Sequence, residues 1–393
     1  LTVTNVTDID GTLAVADNTL TLDGTSDIDG TITISTGTVD ANGTFDATGG
    51  FVTFTDAGNL TLDSTVTSLG ILSSDNGTVT YDGEDQYVFS DTYHQLIFDG
   101  LGEKTLTGDV SVNNNLIVNP GDTCIVGTNT LTVEGLTDID GTITINSGSV
   151  DANGIFDAIG GTITFNGAGN LYLDSTVTSL GTFSASYSTV AYDGSDQEVK
   201  EATYHHLNLA GYGDKELSGD IGATGDININ PGVDFDVSYI NNYSINIEGD
   251  WTNNGTFNER GGLVTFDGND IQHIYSVDSL SGSYKQQDFY NLTINNTGAT
   301  DTVVMGGDFD IKNNLTLESG TIDLEDVDPS IQIKGNLTIS DGVVWIKGNK
   351  PLIFNGSTQF SDTNLQVNNL GRVEVMDSLF IFTDMAVDNL FAF

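Results

Sequence analysis

The chain repeats itself, and that repetition constrains its fold more than any other feature. Asp27-Ile28-Asp29-Gly30 returns as Asp138-Ile139-Asp140-Gly141, an offset of 111 residues. The same offset carries Asp40-Ala41-Asn42-Gly43 onto Asp151-Ala152-Asn153-Gly154, and Thr92-Tyr93-His94 onto Thr203-Tyr204-His205. A third, shortened copy follows. GTFNERGGLVTFDG at 255–268 matches GTFDATGGFVTFTD at 43–56, and FYNLTINN at 289–296 matches TYHQLIFD at 92–99, so fifteen residues have dropped out between the two landmarks. A stack of similar coils tolerates such a loss, because each coil touches only its neighbours.

Within each copy runs a finer rhythm of four-residue segments: TITI, TVDA, FVTF, LTLD, VTYD and LIFD, separated by Gly, Asn or Asp. Period-2 alternation marks short strands with one face inward, and the intervening residues mark tight turns. The first two Asp-Ile-Asp-Gly copies stand 19 residues apart, a plausible length for one coil. The expected fold is all-β, a β-solenoid built from short strands. Tandem β-sandwich domains are the competing arrangement, which four-residue strands disfavour. The organisation expected is partial coils at 1–24, repeat units at 25–135 and 136–247, a shortened unit at 248–324, and terminal coils with an apolar cap or contact segment at 325–393.

Charge narrows the partners. Fifty-six Asp and Glu face ten Lys and Arg, a formal charge of −46, and no Lys or Arg precedes Lys104. Phosphate contacts need clustered basic groups, so nucleic acid is excluded as a partner. No segment offers the roughly 20 apolar residues that span a bilayer as a helix, so membrane insertion is not expected. Apolar residues at 37% and their regular alternation argue against disorder. The lone Cys124 rules out an intrachain disulfide framework and corresponds to Phe235, which marks it as an inert core thiol. Trp251 matches Val39 and Val150 and is expected to pack inward. The opening at Leu1, without Met or an apolar leader, reads as a mature or excerpted form.

The segments GDWTNNGTFNERGGLVTFDG (249–268), FYNLTINNTG (289–298) and GDFDIKNNLTLESGTIDL (307–324) resemble the Thr/Asn/Gly-rich repeats of very large secreted prokaryotic surface proteins. The resemblance covers most of residues 1–345. It implies a right-handed parallel β-helix, an extracellular or cell-surface location, and a role in adhesion or scaffolding. It carries over no catalytic residues, and the last fifty or so residues depart from it.

Two sets of residues are candidate sites. Asp8, Asp10, Asp27, Asp29, Asp138 and Asp140 open the Asp-X-Asp-Gly segments; paired carboxylates before a Gly resemble the start of a Ca²⁺ loop, though Thr-Ile-Thr-Ile follows where further oxygen ligands would stand. Turn chemistry, with the carboxylates bonding local amides, is the alternative. A catalytic carboxyl pair is not expected, since a solvent-facing turn does not hold one carboxyl protonated. The second set is Leu1 and Val3 at one end with Phe380, Phe382, Leu390, Phe391 and Phe393 at the other, where VEVMDSLFIFTDMAVDNLFAF is unusually apolar. An open coil edge needs a cap or a partner, and a head-to-tail contact between copies builds a filament. His94 and His205 share a repeat position that is Asn291 in the third copy, and read as surface or turn residues. The Thr-X-Thr strands Thr31/Thr33 and Thr142/Thr144 would form a hydroxyl ladder. The expected function is a non-enzymatic, self-assembling extracellular rod, filament component or adhesin stalk, with Ca²⁺ as a candidate cation. The alternatives are a carbohydrate-active β-helix enzyme or a glycan-binding adhesin.

Overall fold

Alternation of apolar and polar residues dictates the strands. In a computed structural model describing residues 1–275, 285–298 and 301–393, Thr19–Leu22, Thr38–Ala41, Asn59–Leu62 and Thr78–Tyr81 each turn two side chains inward and two outward. Three such strands make one turn, and each pairs in parallel with the third strand onward. Thr19–Leu22 thus lies on Thr38–Ala41, then Asn59–Leu62, Thr78–Tyr81 and Gln95–Phe98. The fold is a parallel β-solenoid of about 19 turns, with no helix among the described residues. Sandwich sheets are antiparallel, so the competing arrangement is excluded.

The chain forms two compact units, Leu1–Val190 and Ala191–Phe393, whose boundary falls inside the second sequence repeat. In the first unit, in-register pairing stacks like upon like. Leu22, Ala41, Leu62, Tyr81, Phe98, Val118 and Ile139 form one inward column, all fully buried. Cys124 sits under Ile143 in another column, and burial pushes its thiol up to about 12. That is the inert packing thiol its repeat position implies.

One sequence repeat, from Ser26–Ile28 through Thr130–Val133, holds seventeen strands, which is not a multiple of three. The second copy therefore begins on a different face from the first. Ser26–Ile28 stacks between Thr7–Ile9 and Phe45–Asp46, whereas its copy Thr137–Ile139 continues the sheet of Leu116–Val118, on a different face.

Close stacking makes the corners demanding. A Cβ on Gly43 would stand 2.3 Å from the Gly24 carbonyl oxygen on the preceding coil, so only Gly fits there. Corner amides that lose a strand partner are taken up by Asp and Asn one coil away. Asp109 Oδ1 accepts the Thr130 N–H at 2.8 Å, and Asn115 Oδ1 accepts that of Leu136 at 3.0 Å. The second unit uses the same device: Asp226 accepts from Asp250, Asp250 from His273, and Asp308 from Ser330, at 2.8–2.9 Å. Many acidic residues are thus hydrogen-bond acceptors between coils rather than surface charge alone.

The second unit packs larger side chains and longer coils. From Ile227 to its stacked partner Trp251 is 24 residues, against 19 from Thr19 to Thr38. The added room holds Trp251, fully buried as its repeat position predicts, with Phe257 at 4.9 Å between ring centroids and Phe289 at 5.8 Å.

Candidate functional site

The fold sorts the outward side chains into unlike rows. Asp8, Asp27 and Asp46 occupy one in-register column, so three carboxylates rise one per coil, about 4.8 Å apart. Asp8, Asp10, Asp27 and Asp29 are all exposed. Burial of its surroundings and then the neighbouring Asp29, Asp8, Asp46 and Asp10 push the Asp27 carboxyl upward. Because the second copy begins on a different face, Asp138 does not join this column. It stacks on Asp157, with its carboxyl raised by desolvation and then by Asp140 and Asp157. Asp8 and Asp27 therefore belong to one ladder and Asp138 to another, while Asp10, Asp29 and Asp140 follow in the turns. Among the described residues no group of three or more His, Cys, Asp or Glu side chains is arranged to hold a metal ion.

Next to the acidic ladder lies a face without charge. Thr31 and Thr33 stack under Phe51 and Thr53, and then under Ile71 and Ser73. The second copy places Thr142 and Thr144 under Thr162 and Thr164, then under Thr182 and Ser184. None of these twelve outward positions is ionisable, which in so acidic a chain is a marked segregation. Hydroxyls continue through Thr33, Thr53 and Ser73 and through both second-copy rows, whereas the Thr31 row passes to Phe51 and Ile71.

Inside the first unit is a polar corner. Lys104 points inward where alternation calls for an apolar residue, and its side chain is fully buried. Its Nζ donates to the carbonyls of Gly83 at 2.8 Å, Glu84 at 2.9 Å and Leu101 at 3.3 Å, and to Asp122 Oδ1 at 2.9 Å. Gln86 closes the same turn, donating to the Leu62 and Ser64 carbonyls while accepting from Gly83 N–H. In the second unit Lys215 repeats the arrangement with Gly194, Ser195 and Tyr212, but Val233 stands where the first copy has Asp122. Desolvation pulls the Lys215 ammonium downward, against Asp196, Asp193 and Asp214. In the third copy Val303 pairs with Gln272, and Asn296 donates to Asp270 O and Gln272 Oε1 instead. Sequence reasoning passed over both lysines. Their signal was available: two of only ten basic residues recur at the 111-residue offset, in an inward register.

Asp63 gives the first unit a titratable corner. Its Oδ1 is buried without a hydrogen-bond partner, and the Asp82 and Asp40 carboxyls are its charged neighbours. Desolvation, then Asp82 and Asp40, push it up to about 6. An unfolded Asp titrates near 3.9, so between these values the folded chain holds the extra proton. Stability contributed by that proton is present in acid and is lost as pH rises through about 6. Asp63→Asn is therefore expected to melt higher than wild type at pH 7 and at the same temperature at pH 4. Thermal scans at fixed ionic strength check this; an equal gap at both pH values would contradict it.

The last coil carries the second candidate set. The inward column Ile331, Leu352, Val373 is buried, but its next member Leu390 is 51% exposed, and Ile381 above buried Phe360 is likewise 51% exposed. Phe380 and Phe391 pair with Gln359 and Glu374 on the outward rows, so they lie on the sides of the coil. Phe382 and Phe393 are exposed beyond these strands. At the other end Val3 stacks on Leu22 and is half-buried, and Leu1 is exposed. The structure thus assigns Val3 and Leu390 to coil edges and places Phe380 and Phe391 on the sides of two different sheets, with Arg372 5.3 Å from the Phe391 ring centroid. Ile381 is an edge residue that the sequence reading missed.

The open depression bordered by Glu201, Thr203, Asp220 and Asn246 contains no basic residue, and its Asp220 Oδ1 is engaged by the Ser244 N–H at 2.8 Å. Comparison with known proteins finds no family model and no curated protein that matches the chain.

Proposed function

We propose that the chain is a non-enzymatic structural rod segment of an extracellular filament, sheath or adhesin stalk, adding to further copies head to tail. The observation that carries this reading is the parallel ladder wound around a core of stacked side chains, as in the fully buried column from Leu22 to Ile139. On this reading the exposed Leu390 and Ile381 serve as apolar contact residues. Side chains fill the interior, which leaves the backbone ladder and the acidic, Thr-rich surface as the working parts.

Sedimentation velocity over a range of concentrations tests the reading. The full chain is expected to form growing linear species, and Ile381→Asp with Leu390→Asp to remain monomeric with unchanged far-ultraviolet dichroism. A wild-type chain that stays monomeric at the highest concentration would count against it.

On the same reading the Asp8–Asp27–Asp46 ladder is where Ca²⁺ acts, as a counter-charge between coils in a stretch that has no Lys or Arg before Lys104. A chelator at matched ionic strength is expected to lower the melting temperature of wild type but not of Asp27→Asn. An unchanged wild-type transition would leave these carboxylates as turn and surface chemistry.

A further inference from the structure

The Lys104–Asp122 contact differs from its counterparts in the other repeat copies, and it leaves one atom unexplained. Asp122 Oδ1 lies 2.9 Å from Lys104 Nζ, with both side chains fully buried. Asp122 Oδ2 is equally buried and has no hydrogen-bond partner. Interior carboxylates normally have both oxygens satisfied, because a naked one keeps none of its hydration. The nitrogen has the opposite imbalance: three N–H groups face four acceptors, of which Leu101 O at 3.3 Å is the loosest.

We propose that Lys104 and Asp122 condense to an intramolecular isopeptide bond between Nζ and Cγ. A proton passes from the ammonium to the carboxylate, where Oδ2 is free to take it, leaving a neutral amine beside a neutral acid. The nitrogen lone pair attacks Cγ, and Oδ2 departs as water with that proton and a second one from nitrogen. One ammonium and one carboxylate become one amide and one water, with no oxidant, reductant or cofactor. The amide keeps one N–H for a neighbouring carbonyl.

Three features favour the step. Burial in low dielectric narrows the gap between the ion pair and the neutral pair, since charge is what desolvation penalises. Fixed partners at contact distance react as one molecule, with effective concentrations far above any in free solution. Exclusion of water removes the reactant for the reverse hydrolysis. The bond would join the neighbouring strands Gly102–Leu106 and Asp122–Gly127, which lie on successive coils, and so close one turn of the solenoid covalently. Lys215 is the built-in comparison. It has the same carbonyl surroundings, but Val233 stands at the position of Asp122, so the carboxyl that contacts Lys104 is missing there.

Intact-mass spectrometry of the full recombinant chain tests the proposal. Wild type is expected to weigh one water less than its sequence, not two, and a digest is expected to yield a branched peptide joining Lys104 to Asp122. Asp122→Ala should have its full sequence mass. Asp122→Asn, which preserves size and shape should the alanine variant fail to fold, should instead lose ammonia while forming the same link. A wild-type chain at full mass after prolonged incubation would overturn the proposal, as would a lost water that persists in Asp122→Ala.

Discussion

Relative to wild type in which Lys104 and Asp122 are still an unlinked ion pair, Lys104→Met is expected to lower the stability of the first unit by about 3–5 kcal/mol, the range for removing one member of a buried ion pair. The loss has two sources. Asp122 keeps a carboxyl in the core with neither oxygen paired, and the Gly83 and Glu84 carbonyls lose their donor. Lys215→Met removes only carbonyl partners, because Val233 replaces the acid, and is expected to cost about 1–3 kcal/mol. Amide exchange measures the two separately, since a repeat stack opens locally rather than all at once. Lys104→Met should expose the amides around Gly83, Gln86 and Asp122 while Gly194 and Gln197 keep their protection. Equal losses in the two variants would show that the carboxylate contributes nothing beyond the carbonyl ring.

The contrast also shows what the sequence could and could not reveal. Residues such as Leu20, Leu22, Val39 and Leu60 announce their columns, because apolar alternation in short strands leaves one way to hide them. Cys124 and Trp251 were legible for the same reason: their repeat partners are apolar. Lys104 was not, since a charged residue in an inward position reads as a break in the pattern until three carbonyls converge on it. In the sequence Asp109, Asp226 and Asp250 count only toward the net charge, yet each accepts an amide from the next coil. That role depends on which coil lies above, and coil lengths vary, so pairing cannot be read from spacing alone. The change of face between the first and second copies was likewise hidden until strands could be counted, and it separates Asp138 from the Asp8–Asp27 ladder that sequence similarity groups it with.

In the second unit, Trp251→Ala is expected to cost about 3–5 kcal/mol, the range for emptying a large aromatic site in a packed core. Among the described residues Trp251 is the largest fully buried side chain, and its ring touches the cluster of Phe235, Phe257 and Phe289. Its Nε1 also donates to Gln287 Oε1 at 3.4 Å, so the substitution leaves a buried amide without that donor. Neighbouring coils cannot close the gap cheaply. Phe289 is stacked on Phe309 at 6.2 Å with an interplanar angle of 11°, and moving it would disturb the coil beyond. Restoring Val, the residue at this position in the first two copies, should recover only part of the loss, because the longer coil here is built around an indole. Exchange should rise over Ile227–Ile229, Gln272–Tyr275 and Gln287–Phe289 and stay low at Thr19–Leu22, since coils transmit strain mainly to their neighbours. Trp345 remains as a fluorescent reporter of the later coils. Loss of protection along the whole chain would mean that the solenoid unfolds as one cooperative body, and that stability in it is not summed coil by coil.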